Sequence, residues 1–118
     1  MKIKVSELTG AALDWAVAKC EGVTVLPKMR GGCYVTLDRG ETVLLCYSTD
    51  WAQGGPIIER EKLDVFCSGS VWDASTGDRH PNVIKTGTTP LIAAMRCYVA
   101  STLGDTIEIP KELTNVRN

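Results

Sequence analysis

The chain lacks the residues on which most catalytic sites depend. Among its 118 residues there is one histidine, His80, and it lies in a polar segment. A serine or cysteine nucleophile needs a general base, and nothing in the sequence brings His80 to Ser48. There is also no Walker-type phosphate loop and no dinucleotide-binding G-x-G-x-x-G motif. We therefore expect a binding protein rather than an enzyme, and we expect no cofactor.

Paired cysteines are missing as well. The five cysteines are an odd number, and no two of them form a C-x-x-C pair. Structural zinc sites need Cys or Cys/His ligands at short spacing, so we expect no metal site. The pattern predicts free, mostly buried thiols at Cys20, Cys33, Cys46, Cys67 and Cys97.

The chain has neither an excess of one charge nor a long apolar run. A formal net charge of −1 creates no basic field, so DNA and RNA are not expected partners. The longest uncharged apolar stretch, residues 90–95, is far shorter than the ~20 residues that span a bilayer. No apolar run follows the first lysines, so a signal peptide is not expected. These features predict a cytoplasmic protein without a membrane partner.

The apolar content is that of an ordinary globular protein. Hydrophobic residues make up 44% of the chain, which is too many for a disordered protein. A chain of this length fits one domain with one core. We therefore predict a single domain over residues 1–118, with residues 115–118 frayed.

Two segments show helical periodicity. Apolar residues spaced three and four apart predict a helix over about 8–20, with Ser6 or Thr9 as its cap and Gly22 as its stop. A second helix begins after Thr89, where a capping threonine precedes a proline, and it ends at Gly104. Its predicted apolar face consists of Leu91, Ala94, Met95, Tyr98, Val99 and Leu103.

Runs typical of β-strands alternate with turn residues. Segments 33–37 and 42–47 predict one hairpin, and 63–67 and 71–74 predict a second. A short edge strand is expected at 107–109. Residues 56–61 predict a short helix that starts at Pro56, although a strand is the alternative. Segment 75–89 predicts a long polar loop. The expected fold is α+β, with an antiparallel sheet of two hairpins packed with two main helices.

The segment 48–55 predicts a ligand-binding loop. It combines hydroxyl, carboxylate, indole and amide groups with two glycines that let a ligand approach the backbone. The residues are Ser48, Thr49, Asp50, Trp51, Gln53, Gly54 and Gly55. The alternative is structural: Asp50 caps a turn and Trp51 fills the core.

A second candidate site precedes the long helix. Helix N-termini carry free N–H groups and a partial positive charge, which suits a phosphate beside Thr88 and Thr89. Arg96 could pair with that phosphate, with Asp50 or with Glu59. The alternative is an ordinary threonine cap and a structural ion pair.

Three segments carry a family resemblance. They are Glu7-Leu8-Thr9-Gly10-Ala11-Ala12-Leu13-Asp14-Trp15-Ala16-Val17-Ala18-Lys19-Cys20-Glu21-Gly22, Tyr47-Ser48-Thr49-Asp50-Trp51-Ala52-Gln53-Gly54-Gly55-Pro56-Ile57-Ile58-Glu59-Arg60-Glu61 and Thr89-Pro90-Leu91-Ile92-Ala93-Ala94-Met95-Arg96-Cys97-Tyr98-Val99-Ala100-Ser101. The sequence resembles the NinX-like family of small bacteriophage accessory proteins. The resemblance implies a single NinX-like domain, made in the cytoplasm of an infected bacterium, and it supplies no established enzymatic activity. Small accessory phage proteins commonly interfere with host processes, including defence.

Together these observations suggest a protein that binds and sequesters a nucleotide-derived, phosphate-bearing ligand, such as a host anti-phage defence signal. Trp51 would stack on a base, Thr88 and Thr89 would hold phosphate, and Asp50 would bind ribose hydroxyls or an exocyclic amine. We expect a homo-oligomer, because small domains often form ligand pockets between subunits. One alternative is a module that inhibits a host protein through Trp72 and segment 75–88. A third hypothesis is a weak hydrolase that uses Asp50 and Glu59.

Overall fold

The computed structural model describes residues 1–23, 26–27, 33–36, 40 and 42–114. The predicted strand end at residue 37, most of the turn at 38–41 and the predicted fraying of 115–118 lie outside these residues. A 3₁₀ helix covers Val5–Glu7. The remaining elements, in chain order, are β1 (Lys2–Lys4), α1 (Gly10–Cys20), β2 (Leu26–Pro27), β3 (Cys33–Thr36), β4 (Thr42–Leu44), α2 (Trp51–Glu61), β5 (Asp64–Ser68), β6 (Val71–Ser75), β7 (Ile84–Gly87), α3 (Pro90–Leu103), β8 (Thr106–Glu108) and α4 (Lys111–Thr114).

The predicted α+β class is confirmed, and the strands divide among three antiparallel sheets. The two predicted hairpins belong to different sheets, β2-β3-β4 and β5-β6-β7. The third sheet pairs β1 with β8, with Lys2 opposite Glu108. The first strand of that sheet was not predicted, because three residues with little apolar alternation carry almost no β-pattern.

Helix α3 is the centre of the core. It packs against α1, α2 and all three strands of the β5-β6-β7 sheet. A helix that contacts other elements on several sides must be apolar around most of its circumference, not on one face alone. The structure buries Leu91, Ala93, Ala94, Met95, Cys97, Tyr98, Val99 and Ala100, whereas Leu103 of the predicted face is exposed.

The predicted long loop at 75–89 is partly wrong. Ile84–Gly87 forms β7, which pairs with β6 so that Gly87 lies opposite Trp72. A Cβ on Gly87 would lie 2.6 Å from the backbone nitrogen of Ala93 and 2.8 Å from Cγ2 of Ile92. The strand therefore approaches α3 at a distance that only glycine permits. The strand was not predicted because the segment is mostly polar, and because its closest approach to α3 is made by a glycine and not by a large apolar side chain.

The predicted loop at 48–55 is also partly wrong, because α2 begins at Trp51 and not at Pro56. Asp50 is its N-cap, and its carboxylate Oδ1 accepts a hydrogen bond from the backbone N–H of Ala52 at 2.9 Å. That cap starts the helix ahead of the two glycines and the proline. Pro56 lies inside the helix, where it supplies no backbone donor.

Helices α2 and α3 lie side by side and run parallel. Gly54 meets Leu91 near their first turns, since a Cβ on Gly54 would lie 2.7 Å from Cδ2 of Leu91. Further along, the Arg60 guanidinium donates to the Tyr98 hydroxyl at 3.1 Å. Advancing by six residues in α2 therefore corresponds to seven in α3. The two helix N-termini lie at one end of this pair and the Arg60–Tyr98 contact at the other.

Within the described part of the chain, no helix has the length and apolar content to cross a membrane.

Candidate functional site

The N-terminal end of the helix pair, meaning residues 49–51 with Thr88 and Thr89, contains the exposed part of the predicted site. The Thr89 hydroxyl accepts from the Ile92 N–H at 3.1 Å, which is the cap predicted from the sequence. Thr49, Asp50, Thr88 and Thr89 are exposed. Each cap uses one free N–H group and leaves a helix end with partial positive charge beside the other.

Trp51 stands in the first turn of α2 and faces solvent. Its side chain is 55% exposed, so the alternative in which it fills the core is wrong. Its ring lies close to Gly55, since Cε3 is 3.7 Å from the position that a Cβ on Gly55 would occupy. An indole with more than half of its surface in water is uncommon in a small domain, because burying it would be favourable.

Gln53 has a structural role. Its side-chain oxygen accepts from the Cys46 N–H at 2.8 Å, and its Nε2 donates to the Leu44 carbonyl at 3.3 Å. The primary amide thereby pairs with the end of β4 much as a neighbouring strand would. Both halves of the amide are engaged, and a ligand would have to displace the chain that follows β4.

Gly54 is a packing residue and gives no ligand access to the backbone. A Cβ at this position would lie 2.4 Å from the carbonyl oxygen of Tyr47, in addition to its clash with Leu91. Gly54 is buried between these two residues. The sequence correctly indicated a close approach to the backbone at this glycine, but the approaching groups are Tyr47 and Leu91 and not a ligand.

Ser48 is buried, with 2% of its surface exposed, and its backbone N–H donates to the Asp14 carboxylate at 2.8 Å. Its hydroxyl is buried and makes no regular hydrogen bond with the described residues. Burial raises the pKa of Asp14, and the groups of Ser48 beside it oppose that shift. This contact fixes the chain before α2 to the middle of α1, and Ser48 is out of reach of a ligand.

Arg96 connects elements that are far apart in sequence. Its Nε donates to the Leu8 carbonyl at 2.9 Å, and one terminal nitrogen donates to the Thr86 carbonyl at 2.7 Å. Burial lowers its pKa. Arg96 forms no ion pair with Asp50 or Glu59 in the described structure, so it anchors the backbone of the sheet and of the segment before α1.

The opposite end of the helix pair carries a charge network that the sequence did not reveal. The Arg60 guanidinium binds both carboxylate oxygens of Glu21, at 3.1 and 2.7 Å, and also contacts Glu61 at 2.9 Å. The Tyr98 hydroxyl donates to Glu21 at 2.5 Å. Arg60 first, and Tyr98 with it, hold the pKa of Glu21 below its usual range, although partial burial opposes them. The sequence predicted residues 56–61 only as a short helix or a strand, with no sign of partners as distant as Glu21 and Tyr98.

Two adjoining cavities lie beside this network. A groove of about 570 Å³ is lined by Arg60, Glu61, Lys62, Asp64, Thr76, Gly77, Asp78 and Arg79. A smaller cavity of about 200 Å³ shares three of these residues and adds His80, Pro81, Val83, Ala100, Ser101 and Thr102. The polar segment after β6 was recognised from the sequence as an unusual loop, but nothing indicated that it faces the end of α2.

Among the described residues, no group of three His, Cys, Asp or Glu side chains could hold a metal ion. Four free cysteines are described there. Cys97 is buried, Cys20 and Cys46 are half-buried, and Cys67 is exposed, contrary to the expectation of mostly buried thiols. Burial raises the pKa of both Cys20 and Cys97 to about 11, so these two thiols are poor nucleophiles.

The comparisons with known proteins agree with the family resemblance. No curated protein matches the chain. The family model described as "Bacteriophage P22, NinX" matches residues 4–102, which include α1, α2 and nearly all of α3. That match covers well over half of the sequence, and it includes both ends of the helix pair. The chain therefore belongs to the bacteriophage P22 NinX family.

Proposed function

We propose that this phage accessory protein binds and sequesters a small, phosphate-bearing, nucleotide-derived ligand at the N-terminal end of the helix pair, without catalysis. A host anti-phage defence signal fits this ligand class. The observation that carries the proposal is the position of Trp51, which is 55% exposed in the first turn of α2, the helix whose Gly54 packs against Leu91 in the first turn of α3. No packing requirement within the described protein accounts for an indole at this place.

The groups at this end match the parts of a nucleotide. Stacking of a base on an aromatic side chain stabilises a complex by about 1–3 kcal/mol. The Thr88 hydroxyl and the partial positive charge of the α3 N-terminus favour a phosphate. Asp50 uses only Oδ1 for its cap, so Oδ2 can accept from a ribose hydroxyl or an exocyclic amine. The chain before α2 is held in place by the internal contacts of Ser48, Gln53 and Gly54. Arg96 holds the carbonyl of Thr86, two residues before Thr88.

A hydrolase with Asp50 and Glu59 as its paired acids is disfavoured by helix geometry. The two residues are nine positions apart along α2, which corresponds to roughly 13 Å of rise. Paired carboxylates in glycoside hydrolases lie about 5–9.5 Å apart. Capture needs affinity alone, and none of the exposed groups at the N-terminal end of the helix pair is a general base activated by a neighbour.

We also propose that the protein works as a homo-oligomer. In one protomer the indole of Trp51 would cover only one face of a stacked base. Ligand sites usually bury most of the ligand surface. A second copy would supply the opposing wall. Light scattering coupled to size exclusion measures the subunit number with and without ligand, and a monomer in both states would refute this part of the proposal.

The test is to identify small molecules released by denaturing protein that was purified from bacteria with active nucleotide-based defence. We expect a stoichiometric, chemically unaltered nucleotide that is absent from Trp51→Ala. Phe66→Ala is the matched control, because Phe66 is an exposed aromatic residue, 44% exposed, on a different element. An altered nucleotide would indicate an enzyme. The absence of any bound molecule across several defence systems would refute sequestration.

One observation favours the rival function, inhibition of a host protein. Phe66 and Ile84 are exposed on the same face of the β5-β6-β7 sheet, opposite the face that α3 covers. Trp72, which the sequence suggested for this role, instead packs against the core. If Phe66→Ala abolishes the phage phenotype while Trp51→Ala leaves it intact, the function depends on the sheet face and not on a nucleotide.

A further inference from the structure

The two cavities at the C-terminal end of the helix pair are built differently from the Trp51 surface. They are framed by the end of α2, the segment 76–83 and the last turns of α3. Their lining contains no Phe, Tyr or Trp, and its polar groups are charged side chains, hydroxyls and the His80 imidazole. Any ligand they bind must therefore be recognised by charge and hydrogen bonds.

The segment 76–83 is held in place before any ligand arrives. The Thr76 N–H donates to the Val83 carbonyl at 3.0 Å, and the Val83 N–H donates to the Thr76 hydroxyl at 2.9 Å. The Gly77 N–H donates to the Ser75 hydroxyl at 2.9 Å. These bonds close the segment on itself, so it presents Arg79 and His80 from a fixed backbone. A preformed site spends less binding free energy on ordering.

Arg79 is the guanidinium of this region that remains available. Arg60 directs its three nitrogens to Glu21, Glu61 and Tyr98. Arg79 instead uses Nε for the Thr76 carbonyl at 3.3 Å, and one terminal nitrogen lies 3.6 Å from Glu61. Its other terminal nitrogen forms no hydrogen bond or ion pair with the described residues, and about half of the side chain is exposed. A guanidinium with a free edge is the donor best suited to a phosphate.

The smaller cavity has the donors that a phosphate requires. Arg79, His80 and the hydroxyls of Ser101 and Thr102 line it. Its one acid is Glu61, whose two oxygens already face Arg60 and Arg79. The larger groove adds two acids, Asp64 and Asp78, which form no ion pair in the described structure and share the groove with Lys62. Arg79 lies at the boundary between the two.

We infer that the two cavities form one site for a small zwitterionic phosphate, meaning a phosphomonoester that also carries an amine. The phosphate occupies the smaller cavity against Arg79 and His80, and the amine extends into the groove towards Asp64 and Asp78. This site is separate from the Trp51 surface, and it involves no chemical change in the ligand.

The single histidine makes the test direct. His80 gives the only histidine ring signals in the protein's NMR spectrum, since the chain has one histidine. Inorganic phosphate and phosphoethanolamine are titrated separately at fixed pH and fixed ionic strength. We expect saturable shifts of the His80 ring signals, with phosphoethanolamine bound about three-fold more tightly because its amine adds one surface ion pair.

Four variants separate the contributions. Arg79→Gln should abolish the saturable shift, and Arg79→Lys should retain it at weaker affinity. Asp78→Asn should remove the advantage of phosphoethanolamine over phosphate. Lys2→Gln is the matched control, since it removes one positive charge from β1, away from both cavities, and should change neither titration.

Folding of each variant is checked by its methyl spectrum. A shift that stays linear with concentration, or that persists unchanged in folded Arg79→Gln, would overturn the site. Equal affinity for the two probes would overturn the zwitterionic assignment and leave a plain anion site, which contradicts the inference as stated. Neither probe carries a base, so a failure here does not bear on nucleotide binding at Trp51.

Discussion

Two consecutive glycines in α2 should respond differently to the same substitution. A Cβ on Gly54 would meet the Tyr47 carbonyl oxygen at 2.4 Å and Leu91 at 2.7 Å. A Cβ on Gly55 would meet only the Trp51 ring, at an ordinary contact distance of 3.7 Å. Both residues are helical, but Gly55 precedes Pro56, whose ring crowds a preceding Cβ in the α conformation and offsets the gain in helix propensity there. Gly54→Ala reports the cost of packing against α3, and Gly55→Ala is the neighbouring substitution without that clash.

The magnitudes follow from these contacts. Alanine in place of glycine inside a helix stabilises by about 1 kcal/mol. Overpacking costs about 1–3 kcal/mol, and here the upper value applies because a backbone carbonyl cannot rotate out of the way. We therefore expect Gly54→Ala to lower the free energy of unfolding by about 2 kcal/mol. Gly55→Ala should change it by less than about 0.5 kcal/mol, because the gain in helix propensity is offset by the crowding from Pro56.

Urea denaturation followed by circular dichroism measures both changes. With a slope of about 2 kcal/mol per molar urea, Gly54→Ala should unfold at a midpoint about 1 M lower than the parent protein. Gly55→Ala should unfold at nearly the same midpoint as the parent protein, with the same slope. If Gly54→Ala proves as stable as Gly55→Ala, α2 does not pack against α3 as described, and the parallel helix pair is wrong.

Three further substitutions test the contacts around the site. Arg96→Gln should lower the free energy of unfolding by about 1–2 kcal/mol, because the part-buried bond to the Leu8 carbonyl and the exposed bond to the Thr86 carbonyl lose a charged donor; an unchanged urea midpoint would contradict the anchoring role. Gln53→Glu should lower the free energy of unfolding by about 1–3 kcal/mol at neutral pH, because a carboxylate oxygen would replace the amide that donates to the Leu44 carbonyl. Thermal unfolding at pH 7 measures this loss. For Asp14 the native pKa is raised, so its favourable contribution is complete below about 3.8 and is lost as pH rises through the native pKa. Asp14→Asn keeps an acceptor for the Ser48 N–H and should therefore gain stability relative to the parent between pH 4 and pH 7; a constant difference across that range would refute burial of the charge.

The elements predicted from the sequence were those with strong local signals. Both ends of α3 were predicted correctly, because Thr89, Pro90 and Gly104 are start and stop signals that act locally and do not depend on the rest of the fold. The hairpin of β5 and β6 was likewise found from its turn. In contrast, β1 depends on a partner about a hundred residues away, and no window of sequence contains both strands.

The candidate site shows the same division. The segment 48–55 was correctly recognised as unusual, but its composition did not distinguish ligand contacts from internal ones. Gln53 forms hydrogen bonds with the backbone of residues 44 and 46, and Gly54 packs against the Tyr47 carbonyl; only the structure could show these contacts. The sequence could not predict whether Trp51 faces the core or the solvent, since a single indole in the first turn of a helix is compatible with both. The cavities around Arg79 escaped detection because their walls come from three elements that are distant in sequence.

The pairing of β1 with β8 also determines when the first strand can form during synthesis of the chain. Lys2 cannot meet Glu108 until the ribosome has added the hundred or so residues between them. At about 5–20 residues per second, the first strand waits roughly 5–20 s with its backbone groups exposed to water and to other chains. Three polar-flanked residues are a short target for aggregation during that delay. The β1-β8 sheet can therefore be completed only after α1 and α3, the two main helices of the core, have been synthesised.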